Sequence, residues 1–187
     1  IRSQYGKGIS DEELLLRYLI HGPDVDAMYA ADKPIEPVYP LGGPQGLGKT
    51  TFALNIAENA AFGPKKAKVG IFSMEMSREQ LAFRMISSLG RVDQSHLRIG
   101  NIDGEEWSRV NTAISMMKEA PIFIDDTGAL TPTEVRARAR RLKREHGLDM
   151  IVLDYLQLMQ VAGNTENRAT EISEISRSLK ALAKELA

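Results

Sequence analysis

The sequence predicts an α/β fold: a parallel sheet with helices on both faces. Three observations carry that expectation. Short apolar runs at 68–73, 122–124 and 150–153 are separated by amphipathic helical segments, and such alternation gives parallel strands covered from both sides. The intervening segments open on strong helix-start signals. Residues 43 to 50 read Gly-Pro-Gln-Gly-Leu-Gly-Lys-Thr, a complete G-x-x-x-x-G-K-[ST] phosphate loop, which belongs between a strand and a helix.

Each element has a local cause. Val38 to Leu41 reads as a short strand leading into the loop. Residues 50 to 62 form the first helix, with Phe52, Ile56 and Ala60 at helical spacing, and Gly63-Pro64 stops it. Lys68 to Ser73 is an apolar strand. Ser77 caps the next helix, Gln80 completes a capping box, and Leu81, Met85, Ile86 and Leu89 make its buried stripe. Asp103 and Glu106 repeat the cap pattern before a helix carrying Trp107, Val110, Ile114 and Met117. After the strand Ile122 to Ile124, Thr131-Pro132-Thr133-Glu134 starts a helix that runs to about His146, with Gly147 as terminator. Met150 to Leu153 is an uninterrupted apolar strand. A polar loop at 163–167 precedes a last helix bearing Ile172, Ile175, Leu179, Leu182 and Leu186. The crossovers between strands should be right-handed, and no internal repeat of fixed period is present.

The phosphate loop dictates chemistry. Its glycines let the backbone turn tightly, so that amides and the following helix N-terminus point at phosphate oxygens. The candidate nucleotide-binding residues are Gly43, Gln45, Gly46, Leu47, Gly48, Lys49, Thr50 and Thr51. Lys49 should reach the β- and γ-phosphates, and Thr50 should ligate Mg²⁺. Asp154 ends an apolar strand in the Walker B manner, at the sheet edge where ligands bind, and should hold the water shell of the Mg²⁺ opposite Thr50. Glu75 follows another strand and lies between Met74 and Met76. Apolar neighbours would favour its accepting a proton from water, which makes it the candidate general base. Asp125-Asp126 ends a third strand and is the alternative acidic pair, ranked lower because Thr127-Gly128 after it reads as a turn.

Composition bounds the remaining choices. The 187 residues are 43% hydrophobic and 26% charged, ordinary for a soluble globular domain with a sizeable core. A formal net charge of −1 means that any nucleic-acid contact must be a local basic patch. There is no cysteine, which excludes disulfides, thiolate metal sites and a cysteine nucleophile. His21, His96 and His146 are too scattered to form a ligand motif. No apolar run approaches the roughly 20 residues of a membrane span, and no secretory signal opens the chain. A cytoplasmic, membrane-free protein is expected.

One helix is strongly basic: Arg136, Arg138, Arg140, Arg141, Lys143 and Arg144, opposite an apolar stripe of Val135, Ala139 and Leu142. It reads either as a DNA-phosphate surface or as a solvated, ion-paired face, and the second reading has precedence for charge runs on helices.

These segments resemble the RecA-like motor domain of DnaB-type replicative helicases. The residues that carry the resemblance are Gly-Leu-Gly-Lys-Thr-Thr-Phe-Ala-Leu-Asn at 46 to 55, Phe-Ser-Met-Glu-Met at 72 to 76, and Ser88 with Arg91-Val92-Asp93-Gln94. They continue with Leu-Thr-Pro-Thr-Glu-Val-Arg-Ala-Arg-Ala-Arg-Arg at 130 to 141, Asp-Tyr-Leu-Gln-Leu-Met at 154 to 159, and the helix 174 to 186. The resemblance implies a RecA-like P-loop NTPase over residues 42 to 187, with ATP and Mg²⁺ as cofactors. It implies Lys49 and Thr50 as nucleotide and metal residues, Glu75 as catalytic glutamate with Lys49, and Asp154 as the Walker B acid. It further implies a homo-oligomeric, hexameric ring that moves on single-stranded DNA and unwinds duplex, with primase and a helicase loader as further partners. Asn167 and Arg168 fall in a loop that such motors turn toward the DNA channel.

The phosphate loop departs from the family's usual Arg-Pro-Ser lead-in, carrying Gly43-Pro44-Gln45 instead. The family continues beyond a position equivalent to Ala187 into further strands, a sensor glutamine, the main DNA loop and an arginine finger, so the carboxyl-terminal part of the domain is expected to be missing here. Residues 1 to 41, with a capped helix at 10–20, read as a helical linker or a foreign segment. Over a short stretch they resemble a tail region of biotin-dependent carboxyltransferases, without metal ligands. The competing functions are a RecA-type recombination or clock-type ATPase, and a truncated or chimeric nucleotide-binding module without motor activity.

Overall fold

β1 (Val69–Ser73) is buried at all five positions because it is the middle strand of a parallel sheet. The structure, a computed structural model, describes residues 48–160 and 168–186. The strand expected at 38–41, the phosphate-loop residues 43–47, the helix expected at 10–20 and the loop 163–167 lie outside the described residues. The chain divides into two compact units, residues 1–49 and 50–187.

Element order is α1 (Lys49–Phe62), β1, α2 (Arg78–Gly90), α3 (Gln94–Ile99), α4 (Gly104–Glu119), β2 (Ile122–Asp125), α5 (Pro132–His146), β3 (Met150–Asp154), a short 3-10 turn (Leu156–Leu158) and α6 (Arg168–Leu186). Among the described residues the strands lie in the order β2-β1-β3 and every pairing is parallel. Val69 stands between Ile122 and Met150, and Ser73 stands beside Asp154. This in-line register brings the carboxyl ends of all three strands, and the acids that follow them, to one edge.

Strand side chains alternate between faces, and each face has its own core. Val69, Ile71 and Val152, flanked by Ile122, Ile124 and Met150, pack with Leu54, Ala57 and Ala61 of α1 and Leu81 of α2. On the other face Phe72, Ile151 and Leu153 pack with Leu130, Val135 and Ala139, with Leu148 and Met159, and with Ile175 and Leu182 of α6. The expected two-sided sheet is therefore present. Gly70 belongs to the second face: a Cβ there would stand 3.0 Å from Leu142 Cδ2 and 3.2 Å from Leu148 Cδ1, so glycine lets the end of α5 approach the sheet.

The helix starts follow their capping residues. Ser77, Asp103 and Thr131 each close a reciprocal capping box, with Gln80, Glu106 and Glu134, and Pro132 occupies the first turn of α5. Each cap contributes about 1 kcal/mol. Gly147 ends α5 at φ 80°.

Two features were not legible in the sequence. α3 was not anticipated: it has six residues, none buried, so it leaves no periodic stripe. Its signals are local, an Asp93 side chain accepting the Ser95 N–H at 2.7 Å and Gly100 in the left-handed region at φ 77°. In α4 the buried positions are Val110 and Ala113, while Trp107 is 54% exposed. α4 lies close to α2 at Gly90, where a Cβ would meet the Arg109 carbonyl oxygen at 3.4 Å and the Ala113 Cβ at 3.7 Å. Close helix approach selects the small residue and leaves the indole outside.

Candidate nucleotide site

The carboxyl edge of the sheet carries Thr50 and Asp154 in contact, with Glu75 following the end of the neighbouring strand β1. Gly48, exposed and at φ 75°, leads into Lys49, the first residue of α1. A helix N-terminus turns the positive end of its dipole toward an anion. Gly43, Gln45, Gly46 and Leu47 lie outside the described residues.

Thr50, one residue into α1, donates its hydroxyl to Asp154 Oδ2 at 2.7 Å. Asp154 is the last residue of β3, so the start of α1 is tied to the end of that strand. Thr51 is exposed, and its Oγ1 accepts a hydrogen bond from Arg84 of α2 at 3.1 Å. Further along the same seam Ser88 donates to Glu58 at 2.8 Å. Burial pushes the Glu58 carboxyl up from its ordinary range, and the Ser88 bond only partly opposes that.

Glu75 is presented by a wound turn at the end of β1. The Met74 N–H donates to the Asp154 carbonyl at 2.8 Å, and the buried Ser73 hydroxyl donates to the Met76 carbonyl at 2.7 Å and accepts the Met76 N–H at 3.1 Å. Met74 packs into the core of one sheet face and Met76 into the core of the other. Anchored on both sides, the turn leaves Glu75 exposed. The two methionines therefore hold the backbone rather than surround the carboxylate.

Asp125 and Asp126, the alternative acidic pair, are both engaged by arginines. Asp125 accepts from Arg138 of α5 at 2.6 and 2.9 Å. Burial pushes its carboxyl up, but the Arg138 and Thr127 hydrogen bonds outweigh this and the net shift is downward. Asp126 accepts the backbone N–H of Arg78 at 3.0 Å and its guanidinium at 2.9 and 3.1 Å. The Arg78 side chain, then its backbone N–H, holds the Asp126 carboxyl down at about 2. The sequence held no pointer to these arginines as partners, since they stand 13 and 48 positions away from the acids they bind.

The basic helix pairs most of its charges with the protein's own acids and carbonyls while keeping them largely exposed. Arg136 and Arg140 both donate to Glu185 of α6, Arg141 pairs with Glu145 at 3.0 Å, and Lys143 donates to the Leu186 carbonyl at 2.6 Å. The ion-paired reading of this helix is the one these contacts support. Of the two expected DNA-loop residues, Asn167 lies outside the described residues and Arg168 opens α6.

As a donor set, a hydroxyl and a carboxylate oxygen suit a hard divalent cation such as Mg²⁺, which takes one or two protein oxygens and completes its shell with water and phosphate. Among the described residues no cluster of three or more His, Cys, Asp or Glu side chains forms an all-protein metal cage. No helix among them is long and apolar enough to cross a membrane.

A parallel β2-β1-β3 sheet, covered on both faces and carrying a threonine–aspartate pair at its carboxyl edge, defines a RecA-like α/β domain of the nucleotide-using class. Within that class the chain belongs to the DnaB-like helicase C-terminal domain family, whose model matches residues 34–187. It is 51% identical over 166 residues to the replicative DNA helicase DnaB of Haemophilus influenzae, covering 87% of this chain and 35% of that protein. To the same helicase of Buchnera aphidicola subsp. Acyrthosiphon pisum it is 55% identical over 142 residues, covering 75% of this chain and 31% of the relative. A solved structure of a DnaB-like replicative helicase, described with its interactions with primase, superimposes with a TM-score of 0.71 at 29% identity over 76% of this chain and 34% of that one. The chain thus spans about a third of the length of the curated relatives it matches.

Proposed function

We propose that this chain is the ATP-hydrolysing motor part of a replicative DNA helicase that translocates on single-stranded DNA and unwinds duplex. The observation that carries the proposal is the 2.7 Å contact between Thr50 and Asp154, which unites the two halves of a Walker site. In this reading the residues 43–51 cradle a triphosphate and Lys49 neutralises its terminal oxygens. Thr50 and Asp154 would hold Mg²⁺, which when bound withdraws charge from the β- and γ-phosphate oxygens. Glu75, exposed at the neighbouring strand end, orients and deprotonates the attacking water.

The relatives named as replicative DNA helicases support DNA as the substrate; single-stranded DNA as the track and a homo-oligomeric, hexameric ring as the working assembly belong to the same reading. The related helicase described with primase supports primase as a partner; a loader and a cytoplasmic location complete the reading. Asn167 and Arg168 are proposed to face the DNA. Hydrolysis would drive subunits about their interfaces as nucleotide state changes.

The test is ATP turnover with and without single-stranded DNA for wild type, Lys49→Ala and Glu75→Gln, with nucleotide binding measured in parallel. DNA-stimulated turnover should vanish in both variants while Glu75→Gln still binds nucleotide. Equal low rates in all three would reject a motor.

A further inference from the structure

Glu75 has no hydrogen bond among the described residues to hold its carboxylate, so its placement depends on the turn beneath it. That turn is pinned on its β1 side by the Met74 and Met76 backbone bonds. Its other end is the start of α2, and there Asp126 reaches across from the end of β2. One carboxylate oxygen takes the backbone N–H of Arg78, the first residue of α2, and the other takes the Arg78 guanidinium through two nitrogens. A carboxylate at a helix N-terminus is favoured by the helix dipole as well as by these bonds. The neighbouring residue Asp125 is bound to Arg138 of α5, so the tip of β2 is braced to helices on both faces of the sheet.

We propose that Asp126 is a positioning residue for hydrolysis, acting through Arg78 on the turn that presents Glu75. The proposal rests on reading Glu75 as the catalytic base. The Asp126 carboxylate bonds to Arg78, whereas Thr50 and Asp154 bond to each other. Loosening Asp126 is therefore expected to disturb the placement of Glu75 over the attacking water and to leave the Thr50–Asp154 pair in place. Small displacements of a reacting group cost rate steeply, up to about 100-fold for about 1 Å.

The experiment compares Asp126→Asn, Arg78→Ala, Glu75→Gln and the Asp126→Asn/Glu75→Gln double variant in the full chain, measuring kcat, KM, single-turnover rate and nucleotide Kd. Asp126→Asn should lower kcat about 10- to 100-fold with KM and Kd unchanged. Arg78→Ala should lose less, since its backbone N–H still binds Asp126. In the Glu75→Gln background, Asp126→Asn should cause no further loss, because the group it positions is gone. Unchanged kcat in Asp126→Asn overturns the proposal. So does a joint loss of kcat and nucleotide affinity, or a full additional loss in the double variant. Wild-type turnover by Glu75→Gln alone would instead overturn the assignment of Glu75, and the positioning role with it.

Discussion

The Thr50 hydroxyl donates to the Asp154 carboxylate across 2.7 Å, joining residues 104 positions apart in the chain. One is placed by the helix that follows the phosphate loop, the other by the parallel strand β3. Neither needs the other's local sequence, and the sheet edge brings them together.

Removing the charge of Asp154 while keeping its shape should expose its role. Asp154→Asn is expected to weaken nucleotide binding about 10- to 100-fold in the presence of Mg²⁺ and to leave metal-free binding unchanged. Fluorescent-nucleotide titrations with Mg²⁺ and with a chelator check this. An equal loss in both conditions would mean that the carboxylate supports the fold rather than the metal.

The Asp126 brace sets an acid limit. Its folded pKa of about 2 lies below the ordinary 3.8, so its contribution is complete above 3.8 and is lost as pH falls toward about 2. Asp125, also shifted down, acts in the same direction. The unfolding midpoint of wild type should exceed that of Asp126→Asn at neutral pH, and the gap should narrow between pH 3.8 and about 2. A gap that widens on acidification would contradict the sign of this linkage.

The α5–α6 contact is the third point of test. Arg140 first, with Arg136, draws the Glu185 carboxyl below its ordinary range, and all three side chains remain partly exposed. Glu185→Gln should therefore lower the unfolding midpoint modestly at low ionic strength and by less in high salt. Arg136→Ala and Arg140→Ala should leave the salt dependence of single-stranded DNA binding intact. A fall of about one in the log–log salt slope for either variant would identify that arginine as a phosphate contact instead.

Much of the fold was legible because its causes are local. The three capping boxes are contiguous motifs, and each helix begins where its own cap places it. β1 and β3 announced themselves as apolar runs because the parallel sheet is covered on both faces, most completely at the middle strand β1. α3 escaped for the converse reason: six residues with no buried member carry no period. Trp107 shows that an apolar residue at helical spacing says where a stripe falls, not how near the neighbouring helix comes. Gly90 and Ala113 decided that distance.

The site divides along the same line. The order of residues along the chain determined which chemistries are present: a glycine-rich loop ending in Lys49-Thr50, Glu75 after one strand, and Asp154 at the end of another. Those identities follow from short-range patterns, because phosphate binding and strand termination are each satisfied within a few residues. Only the folded sheet decided what the remaining charges do. It turned Met74 and Met76 to opposite cores and left Glu75 outside. It also gave Asp126 to Arg78, and Arg136 and Arg140 to Glu185. Charge pairing at distances near 3 Å depends on how elements pack, and the partners here come from elements distant in sequence.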